Sequence, residues 1–264
     1  MDTDGYTTLG VRVEDGIARA TIDHPPINLF DAALIVEMDR FGREAADDPD
    51  VRVVVVDSAN RDFFIAHADV KLILQLPSEP QPPPTELPLF TAMVDRFRTM
   101  PKATIAVIEG RCRGGGSELV LGMDLRFAAL GRARLAQPEV TVGIIPGGGG
   151  TQRLPRLIGE GRALELIMTG RSVEADEALR IGLVNRLIEG DPLAAGIAFA
   201  REFTRYGLPA LRLARDAVSR ALDLPLHEGL KLEADLSTLA YATDDAKEGM
   251  DAFMAKRKAV FKDG

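Results

Sequence analysis

The chain has 264 residues, 46% of them apolar and 27% charged, with a formal net charge of -8. That acidic balance, with three Tyr and no Trp, speaks against a nucleic-acid surface, and the length suits one large domain or a domain with an appendage. The single cysteine, Cys112, excludes an intramolecular disulfide and points to a reducing compartment. The opening MDTDGYTTLG lacks the apolar centre of a signal peptide, and no run approaches the roughly 18 apolar residues of a membrane helix. A soluble cytoplasmic protein is expected.

LGVRVEDGIARATID alternates apolar and polar residues about Glu14-Asp15-Gly16 and reads as a β-hairpin. In DAALIVEMDRFGREAADD, Leu34, Met38, Phe41 and Ala45 recur at helical spacing, with Asp31 as the N-cap. VRVVVVDS is a β-branched run suited to a strand buried on both faces, and FFIAHADVK follows as a short loop. Six prolines within Pro77 to Pro88 exclude regular structure. PLFTAMVDRFRTM then reads as an amphipathic helix, KATIAVIEG as a strand, SELVLGM as a helix and DLRFAAL as a strand. The alternation runs to LVNRLIEG. From Pro192 the pattern is helical, so a layered α/β body over residues 1–191 carries a helical region over 192–264.

The chemistry centres on RCRGGGSELVLG. No lysine follows the glycines, which excludes a Walker A phosphate loop, and the spacing does not fit the dinucleotide fingerprint. IPGGGGTQR fails the same tests. Glycines between an apolar strand and an apolar helix start permit close backbone approach, and a helix N-terminus offers free N–H groups with a partial positive field. The Gly115 amide is therefore a candidate oxyanion donor, with the second donor expected from FFIAHADVK. Glu118 stands in an otherwise apolar segment one helical turn beyond Gly115, and Glu139 stands on a loop before the second glycine run. No His/Cys/Asp cluster has metal-ligand spacing, and Cys112 reads as a small apolar filler.

FFIAHADVK, GRCRGGGSELVLGMDLRFAA, AQPEVTVGIIPGGGGTQRLPRLIG and MTGRSVEADEALRIGLVNRLI together resemble the enoyl-CoA hydratase/isomerase (crotonase) family, in order and over nearly the whole chain. The resemblance implies a spiral of β-β-α turns followed by a helical trimerisation region, assembled as trimers or paired trimers. It implies an acyl-CoA thioester substrate whose enolate is held by the backbone amides of Ala68 and Gly115. Glu118 and Glu139 fall on the positions of the acid/base pair, the first activating water for attack at C3 and the second supplying the C2 proton. CoA would lie across the loop Ala66 to Asp69, with Lys71 near its phosphates and Pro26 and Ile27 along the pantetheine. Phe253 and Lys256 would reach the CoA site of a neighbouring subunit. No metal or separate cofactor is implied, since CoA is part of the substrate.

Both glutamates favour 2-enoyl-CoA hydration. A Δ3–Δ2-enoyl-CoA isomerase, which needs only a base at Glu139, is the alternative, ahead of decarboxylases, dehalogenases and thioester hydrolases of the same family. A CoA-binding relative without chemistry, or an RNA-binding one, is disfavoured by the glutamate pair and the acidic pI of 5.1. One departure stands out: the family's AGAD is here AHAD. A left-handed backbone at that position would cost His67 about 1–2 kcal/mol.

Overall fold

The computed structural model describes residues 1–77, 79, 82 and 84–263. Every valine of the run Val53–Val56 is fully buried, and the reason is that each face of that strand meets a different core. Strand β3 (Val53–Ser58) lies centrally in a six-stranded sheet with β1 (Leu9–Glu14), β2 (Ile17–Ile22), β5 (Ala103–Ile108), β7 (Leu125–Ala129) and β10 (Arg186–Ile188), in the order β1-β2-β3-β5-β7-β10. Only the β1–β2 hairpin is antiparallel. Because side chains alternate along a strand, Val54 and Val56 join the main core while Val53 and Val55 enter a second one.

That second core is closed by α8 (Pro192–Phe203), which brings Ile197, Phe199, Ala200 and Phe203 onto Val53, Val55, Ile105, Val107 and Phe127. A Cβ on Gly196 would lie 2.6 Å from Val107, so the helix and β5 approach closely only through this glycine. The helix at the start of the 192–264 region is thus packed on the sheet. Beyond it, α9 (Leu208–Arg220) and α10 (Leu226–Tyr241) pack on each other and bury no residue fully, and α11 (Asp244–Met254) follows.

A second sheet, in the order β4-β6-β8-β9, consists of three-residue strands: β4 (Phe63–Ile65), β6 (Arg111–Arg113), β8 (Arg134–Ala136) and β9 (Ser172–Glu174). Each turn of the chain gives one strand to each sheet and then turns helical. β3 and β4 lead to α2 (Val70–Ile73) and α3 (Leu89–Thr99), and β5 and β6 lead to α4 (Gly115–Leu121). β7 and β8 lead through a 3-10 turn (Glu139–Val142) to α5 (Gly150–Ile158) and α6 (Glu160–Thr169), after which α7 (Ala175–Arg180) joins β9 to β10. This is the expected spiral of β-β-α turns with a helical C-terminal region.

Local details follow from side-chain chemistry. Asp31 caps α1 (Ala32–Asp47) by accepting from the Leu34 N–H at 3.0 Å. FFIAHADVK begins as strand β4 before it becomes a loop, and α4 begins at Gly115 instead of Ser117. The proline-rich stretch expected to lack regular structure lies partly outside the described residues, and its described members carry no helix or strand.

Phe127 is fully buried and meets Phe199 edge-on at 5.2 Å. Phe127→Ala is expected to lower the unfolding free energy by about 3–5 kcal/mol, measured by urea denaturation.

Candidate active site

The ends of the small-sheet strands define the site. At the end of β4, Phe30 forms a one-residue parallel bridge with Ala68: its N–H donates to the His67 carbonyl at 3.0 Å, and its carbonyl accepts from the Asp69 N–H at 3.0 Å. In such a bridge the intervening residue turns its own N–H away, and the Ala68 N–H has no partner among the described residues. The turn carrying Phe30 is itself anchored by buried Asn28 (φ 52°), whose amide donates to the Phe63 and Phe64 carbonyls at 3.0 and 3.1 Å.

At the end of β6, Gly114 turns the chain with φ 54° and ψ -125°, a conformation open to glycine, and Gly115 becomes the first residue of α4. Its N–H is one of the unpaired donors of a helix N-terminus, again without a partner among the described residues. A Cβ placed on Gly115 would lie 3.7 Å from the Ala68 Cβ, so the two free amides belong to one small region. The third glycine is a packing requirement, since a Cβ on Gly116 would lie 2.5 Å from that of Ile65.

Glu118, 3% exposed, projects from the first turn of α4. Its Oε1 accepts from the Gly148 N–H at 2.7 Å and the Gly150 N–H at 2.8 Å. Burial raises its pKa, while those two bonds and the charge of Arg153 act in the opposite direction. Charge-assisted bonds of this kind contribute about 1.5–3 kcal/mol each, comparable with the several kcal/mol of burying a carboxylate. Desolvation prevails here, and the two amides and Arg153 act to favour the ionised form.

Glu139 opens the 3-10 turn, with its Oε1 3.4 Å from where a Gly114 Cβ would stand. Burial pushes its pKa up to about 7, the proximity of Glu118 adds to that, and Arg113 opposes it. Buried Gln137 faces Glu139 with its side-chain amide, and with the nitrogen turned toward the carboxylate it would donate to both oxygens at 3.0 and 3.2 Å. The two carboxyl groups thus differ in surroundings. One is tied to backbone amides, while the other is poised to exchange a proton near neutrality.

The loop Ala66 to Asp69 and the turn carrying Pro26 and Ile27 lie side by side. The Ala66 N–H donates to the Ile27 carbonyl at 3.3 Å, and Asn60 Nδ2 donates to the Pro26 carbonyl at 3.0 Å. Asp69 caps α2 through the Lys71 N–H at 2.9 Å, leaving the Lys71 side chain exposed. Phe253 lies at the end of α11 and Lys256 just beyond it, both exposed, and among the described residues no hydrogen bond, ion pair or ring contact joins them to this loop. His67 is exposed and does not have a positive φ, so the strain considered for it is absent. Its Nδ1 lies 2.8 Å from the Ala68 carbonyl oxygen. Cys112 is buried and its thiol pKa is raised by desolvation, which makes it a packing residue. Among the described residues no group of His, Cys, Asp or Glu could hold a metal, and no helix is long and apolar enough to cross a membrane.

Several site residues carry no sequence signal of their own. Phe90, at the start of α3, packs over Gly115 and Gly148 and meets Phe30 edge-on at 5.2 Å. Arg113 and Arg153 each bury a guanidinium Nε without a hydrogen-bond partner. A hint for Arg153 alone was readable, in that it closes the run IPGGGGTQR.

The spiral of β-β-α turns brings two amides, unpaired among the described residues, together with one buried and one half-buried carboxyl group, and residues 12–264 match the enoyl-CoA hydratase/isomerase family, to which this chain belongs. It is 36% identical to a crotonyl-CoA hydratase of Syntrophomonas wolfei, across 97% of this chain and 98% of that one. It is 34% identical to a short-chain-enoyl-CoA hydratase of Clostridium acetobutylicum, across 93% and 94%. Among solved structures, the enoyl-CoA hydratase from Bacillus anthracis superposes with a TM-score of 0.90 at 32% identity, covering 98% of this chain and 100% of that one.

The raised pKa of Glu139 has a consequence for stability. Between the ordinary carboxylate value of 4.5 and about 7, the folded protein holds a proton that the unfolded chain has released, so stability from this group falls as pH rises through that window. Glu139→Gln removes the effect. The denaturation midpoint of the variant relative to wild type is expected to be higher at pH 8 than at pH 5.

Proposed function

We propose that the protein is an enoyl-CoA hydratase, adding water across the 2,3 double bond of a 2-enoyl-CoA thioester to give the 3-hydroxyacyl-CoA. The observation that carries this reading is the pairing of two dissimilar carboxyl groups, one buried and one half-buried, with two backbone amides in one region that have no partner among the described residues. The Ala68 and Gly115 N–H groups receive the thioester oxygen, whose negative charge grows as the enolate forms. Glu118, kept ionisable by the Gly148 and Gly150 amides, takes a proton from water as the hydroxyl bonds to C3. The electron pair of the double bond moves to the thioester oxygen. Its return forms the C2–H bond with a proton from Glu139, whose pKa of about 7 suits a donor at neutral pH. A proton passing from Glu118 to Glu139 resets the pair.

In this reading CoA lies along Pro26, Ile27 and the loop Ala66 to Asp69, with Lys71 beside its phosphates. Residues 192–264 serve assembly into trimers or paired trimers in the cytoplasm. Leu226, Leu230, Tyr241 and Phe253 are exposed in the single chain, as an interface would leave them, and Phe253 and Lys256 would complete the CoA site of a neighbouring protomer. No cofactor beyond the substrate's own CoA takes part.

Hydration of crotonyl-CoA, followed by loss of the conjugated thioester absorbance, tests the proposal. Glu118→Gln and Glu139→Gln should each lose about 10²–10⁴-fold in kcat. A wild type inactive on 2-enoyl-CoA thioesters, or either variant at near-wild-type rate, overturns it. An isomerase would retain Δ3–Δ2 activity in Glu118→Gln and lose it in Glu139→Gln.

The amide is tested by comparing two substitutions at one position. Gly115→Ala keeps the N–H and adds a Cβ 3.0 Å from Phe90 Cζ, whereas Gly115→Pro also removes the donor at a helix position that accepts proline. The proline variant should be slower than the alanine variant by about 10²–10³-fold in kcat.

A further inference from the structure

Glu118 does not hold its own position. One carboxyl oxygen accepts from two N–H groups at the entry to α5, within a run of four glycines, Gly147 to Gly150, the last of which begins that helix. Glycine has the greatest conformational freedom of any residue, so such a run would sample many backbone states unless something outside it fixed the peptide planes. Arg153, one turn into α5, is placed to do so. Its Nη1 donates to the Gly148 carbonyl at 2.7 Å, and its Nη2 reaches Asp95 of α3 at 3.0 Å. Gly149 (φ 109°) leaves the space that the guanidinium occupies, since a Cβ there would overlap Nη1. The side chain is 14% exposed and its Nε has no hydrogen-bond partner, so it is held in the protein and not dissolved in the solvent. Asp95 Oδ1 also accepts from Arg98 Nε at 3.0 Å, which fixes the far end of the clamp on α3.

We propose that Arg153 is the positioning residue for Glu118: anchored on Asp95, it locks the Gly147–Gly150 peptides so that the Gly148 and Gly150 amides hold one oxygen of the Glu118 carboxylate, leaving the other for the reacting water. The clamp stands on geometry alone, while its catalytic consequence rests on the hydratase reading above.

The charged groups around Glu118 are Arg153 from α5 and Glu139 from the 3-10 turn. Asp95 and Arg98 of α3 face Arg153, and Arg113 of β6 faces Glu139. Because the Arg153 charge favours the ionised Glu118, its removal shifts the acid limb of kcat/KM to higher pH. A residue that only stabilised the fold would leave that limb in place.

The test compares Arg153→Gln, Arg153→Lys and Asp95→Asn using crotonyl-CoA turnover and amide hydrogen exchange of Gly147–Gln152. Arg153→Gln should lower kcat by about 10- to 100-fold with KM within about twofold, since a displacement of about 1 Å at a catalytic group has that effect. Its acid limb should move up in pH, and the Gly148 and Gly150 amides should exchange faster. Arg153→Lys keeps the charge but not the fork, so its acid limb should stay near wild type while exchange still rises. Wild-type kcat, acid limb and exchange in Arg153→Gln overturn the proposal. If that variant does not fold, Asp95→Asn decides: faster exchange with a smaller fall in kcat supports the clamp, and no change in either overturns it. Failure of the hydratase reading looks different, with no crotonyl-CoA turnover in wild type while Arg153→Gln still accelerates exchange.

Discussion

The structure depends on holding a carboxylate out of water. Buried in an apolar helix, Glu118 has its ionised form favoured by two backbone N–H groups that reach it from 30 and 32 residues away. Those donors can approach only if side chains are absent from Gly148 and Gly150, where a Cβ would strike Phe90 and Glu118 in one case and Gln137 and Pro146 in the other. The glycines in turn impose a flexible loop, and the flexible loop requires an anchor. Burial of one carboxyl group thus propagates into constraints on α3, α4 and α5 together.

The architecture supplies the register. Each spiral turn ends a short strand of the small sheet at the same edge, so β4, β6 and β8 deliver the Ala68 loop, the Gly115 helix start and the Glu139 turn to one place. The larger sheet lies beneath with its central strands β3 and β5 buried on both faces, which makes it a stiff base for loops that must hold fractions of an ångström. α4 is fastened at its other end by buried Arg126, whose guanidinium donates to the Val120 and Met123 carbonyls at 3.2 and 2.7 Å. Burial draws its pKa down to about 10, still far enough above neutrality to keep it charged. The helix bearing Glu118 therefore presents a free amide at one end and satisfied carbonyls at the other.

Much of this was legible in the residues because the signals were local. The hairpin at Glu14-Asp15-Gly16, the Asp31 cap and the doubly buried valines each follow from chemistry within a few positions. Strand β4 was hidden, since three residues are too few to show alternation and its pairing with β6 lies far along the chain. The extent of α4 was read late because glycine is a poor helix former. Gly115 is helical for its position at the free-amide terminus and not for its propensity. The His67 strain considered from the AHAD wording did not arise, because the Phe30 bridge holds that loop in a conformation without positive φ.

The sequence by itself determined the longer elements, the family and the residue types able to donate or accept a proton, because periodicity, capping and glycine placement act over short range. Tertiary structure alone decided which of those residues meet and what their surroundings make of them. Glu118 and Glu139 have the same side chain, yet one is bound by two amides and the other is driven up to about 7, since desolvation and hydrogen bonding depend on packing between distant segments. The pairing of Arg153 with Asp95 and Gly148 belongs to the same category: the fork of a guanidinium can span three elements, and nothing in the order of residues says which three.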